Sequence, residues 1–318
     1  MSTLHANLLL LLSAIFWGAG NVAQKSVLED LGPLTTVGLR CLTGAVIVAP
    51  LLLRESGCSV PIHRFWRHIL IAAGLFTAAI GSQQFAFSGT SVTNGSFLIT
   101  TTTVITPIVA WLLLRERPSL ILWPTVGLTL LGVLLLGGGG LSALAWGDLV
   151  ALASALIYSI WIVYLGRLVA ETRRPGAVTL AQFLLAGALA LALGLALEPL
   201  SLAGLGNALP ELIVLGVFST GLAYVFQALA QQRTSASIAA VIMSAECVFG
   251  ALGGYLVLGE RLTMMAGVGA GLILTAVLLV QVSPTPAQLA ALRHLVTSIT
   301  PRSRAARPAR LSGSFRSI

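Results

Sequence analysis

One carboxylate in this chain stands where carboxylates are rare. Glu246 lies near the middle of an apolar run, VIMSAECVFGALGGYLVLGER, well away from both of its ends. An ionised side chain at the centre of a hydrocarbon layer costs about 3 kcal/mol or more, so it must face a partner or a water-accessible cavity, or hold a proton for part of a working cycle. Two readings follow: a proton or cation site, or a buried hydrogen bond that joins two helices. Arg40 lies two turns into another apolar run, TTVGLRCLTG. Its long stem can carry the guanidinium back to the nearest interface, or the charge can meet a substrate anion or Glu246 itself.

Aromatic and amide side chains recur at helical spacing around these two charges. Trp17 and Asn21 are four residues apart, while Tyr158, Trp161 and Tyr164 follow one another at intervals of three, so each set can share a helix face. Facing a cavity, the rings would offer stacking or cation–π contacts, and Asn21 and the hydroxyls would offer directional polar contacts. Facing lipid, they would form an interfacial belt, which is the expectation for Tyr164 near its helix end. Gln83, Gln84, Gln182, Tyr224 and Gln227 extend the set, some of them as plain links between helices. These ten residues, with Glu246 and Arg40, form the expected substrate or proton pathway. Glu116 and Glu260 differ, because the phrases LLLRERPS and LVLGERLT put them beside arginine at turns, where a structural role is expected. Neither a nucleotide-binding loop nor a metal-ligand pattern is present, so no metal, cofactor or enzymatic activity is expected.

The elements that hold these residues are set by composition. With 57% hydrophobic and 9% charged residues and a mean hydropathy of +0.96, the chain cannot hide its apolar surface in a soluble globule. Ten segments long enough to span about 30 Å of hydrocarbon can be drawn, at 7–24, 34–53, 68–86, 94–114, 121–138, 147–166, 178–196, 210–228, 235–258 and 264–282. The first lacks the cationic flank of a cleavable signal and is read as a retained helix. Cys41, Cys58 and Cys247 suggest no disulfide framework.

The net charge of +8 does not point to nucleic acid. Six arginines, from Arg293 to Arg316, sit in the tail; with alternating crossings, nine loop arginines fall on the tail side and only Lys25 and Arg261 opposite. The positive-inside rule then places both termini in the cytoplasm, with the tail against anionic lipid headgroups.

The two halves match at a constant offset of 144 residues. Thr90, Ser91 and Thr93 fall on Thr234, Ser235 and Ser237; Leu114, Glu116 and Arg117 on Leu258, Glu260 and Arg261; and Gly127 and Leu128 on Gly271 and Leu272. Trp17 falls on Trp161, whereas Glu246 falls on Thr102, so charge breaks the symmetry there. A duplicated unit of five helices must insert its copies in opposite directions, the geometry from which alternating access is built. The predicted fold is therefore an all-α membrane protein of ten transmembrane helices in two inverted five-helix repeats, 1–140 and 141–283, followed by a flexible basic tail, 284–318. Small-xxx-small pairs at Gly250 and Gly254, and at Gly267 and Gly271, permit close helix contact and leave a homodimer open.

At FWGAGNVAQK, SVTNGSFL, WLLLRERPS and SAECVFGALGGYLVLGERLT the chain resembles the EamA-like ten-helix group of the drug/metabolite transporter superfamily. The resemblance implies an inner-membrane carrier of a small organic solute with a cavity between two inverted halves, and export as the direction. Cys247 stands where the family has proline, which questions a bend there, and Pro107 offers a bend at a nonmatching place. The expected function is alternating-access transport of a small organic metabolite, proton-coupled or facilitated; the competing class is a non-transporting membrane scaffold or receptor.

Overall fold

A computed structural model describes residues 1–55, 62–90, 92–115, 120–136, 145–258 and 263–282. Glu116, Glu260, Cys58, the glycine run 137–140 and the basic tail lie outside the described residues. Met1–Gln281 forms one compact unit, and every regular element among its described residues is helical. Among the described residues, seven helical stretches are long and apolar enough to cross a membrane: Thr3–Glu29, Pro33–Leu53, His63–Gly89, Trp146–Thr172, Pro175–Leu197, Leu209–Gln231 and Ala236–Val257. Three shorter apolar helices, Leu98–Leu114, Leu122–Leu135 and Met264–Leu279, fall on the remaining predicted segments.

We number the helices by segment: α1, Thr3–Ser26; α2, Pro33–Val48; α3, Trp66–Gly89; α4a, Val92–Thr100, and α4b, Thr102–Leu114; α5, Leu122–Leu136; α6, Trp146–Thr172; α7, Pro175–Leu197; α8, Leu209–Gln231, built from three joined pieces; α9a, Ala236–Met243, and α9b, Glu246–Leu258; and α10, Met264–Val282. Proline opens α2 and α7, where its missing N–H removes no helical hydrogen bond.

Two predicted segments prove discontinuous. The runs 94–114 and 235–258 break at Thr101 and at Ser244–Ala245, positions 144 residues apart. The breaks tighten to i→i−3 bonds, Thr101 N to Leu98 O at 3.2 Å and Ala245 N to Ile242 O at 3.3 Å. Hydroxyls compete for the same turns: Thr101 Oγ1 donates to Leu98 O, and Ser244 Oγ to Val241 O at 2.6 Å. Pro107 sits inside α4b, past the break, and Cys247 in place of proline leaves the second break intact.

Most helix contacts recur when the halves are exchanged. Helix α1 packs on α8 and α9b, as α6 packs on α3 and α4; α2 meets its own equivalent, α7, and α4b meets α9a as α9b meets α4a. The α2–α7 pair is antiparallel: Thr35 lies beside Gly194, Gly38 beside Leu191, and Leu42 beside Gly187. Each end of the pair is clasped by a carboxylate on the partner's exposed N–H groups. Glu198 accepts from Leu34 N and Thr35 N at 2.8 Å each, and Glu55 from Gly176 N at 2.6 Å and Ala177 N at 3.1 Å. Such carboxylates satisfy the orphan amides and the positive end of the helix dipole together.

Contacts between helix termini define two ends of the bundle. At one, Asn207 donates to Asp30, and Thr90 to the buried carboxylate of Asp148, while Lys25 Nζ donates to Phe87 O and Thr90 O. At the other, Thr234 donates to Asn7 at 3.3 Å, and Glu55 holds the start of α7. We refer to these as the Lys25 end and the Arg233 end. Gly250 packs on Gly18 within the chain, whereas Gly267 and Gly271 of α10 meet nothing within 4 Å.

Candidate solute-binding cavity

Midway between the ends, α1, α2, α3, α4, α6, α8 and α9 surround a cavity of about 60 Å³. Both helix breaks open onto it, so Thr100 and Thr102 line it from one half, and Ser244 and Glu246 from the other. Five lining pairs lie 144 residues apart: Trp17 with Trp161, Gln83 with Gln227, Ile99 with Met243, Thr100 with Ser244, and Thr102 with Glu246. Equivalent residues of the two halves thus converge on one space.

Glu246 is the first residue of α9b, half-buried, and its side chain faces the cavity. It makes no hydrogen bond or ion pair within the protein among the described residues. Gly18 makes this placement possible: a Cβ on it would fall 2.8 Å from Glu246 O and 2.7 Å from Gly250 N, so only glycine lets α1 lie on the start of α9b.

Arg40 neither snorkels nor pairs with Glu246. It is 1% exposed and lines the cavity. Its Nε donates to Thr220 Oγ1 at 2.9 Å, Nη1 to Gln24 Oε1 at 2.9 Å, and Nη2 to Ser219 Oγ at 3.3 Å. All three acceptors are neutral, so the guanidinium keeps its charge and two further N–H donors. Ser219 and Thr220 belong to a π-helical stretch of α8, Val214–Leu222, whose wider turn shifts their register toward α1 and α2. There Trp17 Nε1 donates to Ser219 O at 2.8 Å, and Ser13 Oγ to Ala223 O at 2.8 Å. The polar chain continues from Gln24 Nε2 to Asn21 Oδ1, and from Asn21 Nδ2 to Ser96 Oγ.

Aromatic rings line the same space. Tyr224 stands edge-on to Trp17 at 5.0 Å and to Trp161 at 5.6 Å between centroids, and Tyr158 to Trp161 at 5.9 Å. Tyr158 OH donates to Gln83 Oε1 at 2.9 Å and lies 3.0 Å from Tyr224 OH. Gln227 is fully buried against the cavity, and both of its amide atoms lack a partner.

The cavity gathers nine of the twelve expected pathway residues: Glu246, Arg40, Trp17, Asn21, Gln83, Tyr158, Trp161, Tyr224 and Gln227. The other three stand elsewhere. Gln182 accepts from Trp161 Nε1 and fixes that ring from behind. Gln84 donates to Gln24 O at 3.2 Å, and Tyr164 meets His68 Nδ1 at 2.6 Å toward the Arg233 end. Sequence reasoning missed Gln24, Ser219 and Thr220; their burial beside Arg40 follows from tertiary packing, and only the position of Gln24, three residues past Asn21, hinted at it.

Two successive stretches of the chain, 4–138 and 145–282, match the EamA-like transporter family. The chain belongs to this family. It is accordingly an integral multi-pass membrane protein of a transporter family. Two proteins of Archaeoglobus fulgidus, each named only as an uncharacterized transporter, resemble this EamA-like protein along most of their lengths. One is 28% identical over 288 residues, 87% of this chain and 86% of the relative; the other is 23% identical over 277 residues, 86% and 97%. A solved crystal structure shares the fold, with a TM-score of 0.73 at 18% identity over 91% of this chain and 98% of its own.

Proposed function

We propose that this EamA-like protein carries a small organic metabolite across the cytoplasmic membrane by alternating access. The observation that carries the proposal is the convergence of five repeat-equivalent pairs on one central cavity. With α2 antiparallel to its equivalent α7, the halves are inverted copies of five helices each, ten crossings in all, divided near residue 140. Inverted halves can exchange conformations, so that a cavity open toward one end has a counterpart open toward the other.

In this cycle Glu246 binds and releases a proton, Arg40 holds an anionic or polar group of the solute, and the rings of Trp17, Tyr158, Trp161 and Tyr224 embrace its body. The direction we assign is export, on the family resemblance, with both termini and the basic tail in the cytoplasm against anionic lipid. Saturable flux of labelled metabolites into liposomes holding purified protein, competed by the same unlabelled compound, is the expected result. A folded protein that moves no member of a broad panel would favour a scaffold or receptor instead. Comparing metabolites in cells lacking and overproducing the protein would name the cargo.

A further inference from the structure

The wall between the cavity and the Arg233 end is one helical turn thick. On that side lies a vestibule of about 610 Å³, lined in part by Gly166, Arg167, Glu171, Gln231 and Ala236. Three helices each give one residue to the cavity and another, four positions away, to the vestibule: Ile162 and Gly166 on α6, Gln227 and Gln231 on α8, Ala240 and Ala236 on α9a. Four residues of helix advance about 6 Å. Gly166, Ala236 and Ala240 are small, so the barrier narrows to the Gln231 side chain, which is 4% exposed and lies 3.5 Å from where a Cβ on Gly166 would be.

Gln231 is held by one bond, Nε2 to Ile162 O at 3.1 Å, and its Oε1 has no partner. One turn away, both amide atoms of Gln227 also lack partners. Buried polar groups without partners are destabilising, so three such atoms on one helix face mark groups whose partner arrives by another route.

The Lys25 end is built differently at the equivalent place. Gln83 lines the cavity and Phe87 lines the vestibule of that end, again four residues apart. Phe87 is the repeat equivalent of Gln231, 144 residues earlier. Its ring is fully buried against Gly95, and its carbonyl is tied down by Lys25. The pseudo-symmetric barriers are therefore an amide at one end and a phenyl ring at the other.

We propose that Gln231 and Phe87 are the two gates of the cavity, and that Gln227 and Gln231 pass a polar solute by successive hydrogen bonds between the cavity and the Arg233-end vestibule. The amide gate suits a solute carrying both donor and acceptor groups, since Gln227 offers one of each. The proposal rests on the transport reading, but its test does not require transport.

A single reporter cysteine, Ala240→Cys, is placed in the cavity after Cys41, Cys58 and Cys247 are replaced, with Glu171→Cys in a separate protein marking the Arg233 end. A membrane-impermeant, sulfonate-bearing methanethiosulfonate is then added to either face of oriented vesicles. Gln231→Ala should speed labelling of the reporter from the Arg233 end about tenfold and leave the Lys25 end unchanged, and Phe87→Ala should do the reverse; tenfold corresponds to about 1.4 kcal/mol of lost closure. Gln231→Ser and Phe87→Leu serve as the second pair should the alanine variants not elute as monodisperse protein. Equal acceleration from both faces, or none from either, overturns the gate assignment. Side-selective acceleration in a protein that moves no solute would uphold the gates and refute the transport reading alone.

Discussion

Glu246 and Arg40 are the two charged side chains lining the cavity, and their surroundings differ. Arg40 is fixed by three neutral acceptors, whereas the Glu246 carboxylate is held by nothing else among the described residues. Arg40→Lys keeps the charge but loses the planar fork, so at least two of these bonds should fail, each at about 1–3 kcal/mol because the abandoned acceptors are buried. A lower melting temperature of the purified protein in detergent is the expected readout; an unchanged one would show the network to be dispensable. Glu246→Gln keeps size and much of the hydrogen-bonding capacity while fixing the side chain neutral. It should elute as folded protein and lose accumulation driven by a pH gradient, while exchange without net proton movement survives. Equal gradient-driven accumulation by wild type and variant would remove the coupling role. Sequence alone revealed these two residues, because a charge in an apolar run is conspicuous. It could not reveal that Ser219, Thr220 and Gln24 hold Arg40, since hydroxyls and amides in such runs are common and only packing decides which of them meet.

At the scale of elements, segment positions were legible and their interruptions were not. Hydropathy marks where a helix crosses, but the breaks at Thr101 and Ser244–Ala245 arise without proline, from hydroxyls that capture nearby carbonyls. The π-helical turn in α8 has no sequence mark either; it is fixed by what Trp17, Ser13 and Arg40 demand of its carbonyls and hydroxyls. Close helix contact is more readable, because it needs glycine. A Cβ on Gly38 would fall 2.6 Å from Leu191 Cβ and 2.7 Å from its backbone, whereas Gly74 meets nothing within 4 Å. Gly38→Ala should therefore destabilise the protein by about 1–3 kcal/mol through overpacking, and Gly74→Ala should be neutral or slightly stabilising because alanine is the better helix former. Thermal unfolding of the two variants in detergent checks the contrast, and similar melting temperatures would contradict the α2–α7 contact.

For the whole molecule, the offset of 144 residues carried most of the architecture. It pairs Trp17 with Trp161 and Glu246 with Thr102, and all four residues line the cavity. What it could not give was the way the halves interlock, α1 on α8 and α9b, and α6 on α3 and α4, within one compact unit. The charge bias makes a separate prediction about placement in the membrane. In a cysteine-free background, a cysteine at Ser59 should react from the cytoplasmic face and one at Gly137 from the outside; the reverse pattern would invert the orientation. The central claim is that solute crosses through the cavity itself. Thr102 is half-buried at the start of α4b and faces that space, so Thr102→Trp should fill it without entering the tightly packed core. Counterflow of labelled metabolites in liposomes, normalised to folded protein, is the direct measurement. Passage through this cavity predicts saturable, competed flux by wild type that falls to the protein-free rate in Thr102→Trp; undiminished flux by that variant, folded and present at equal amount, would contradict it.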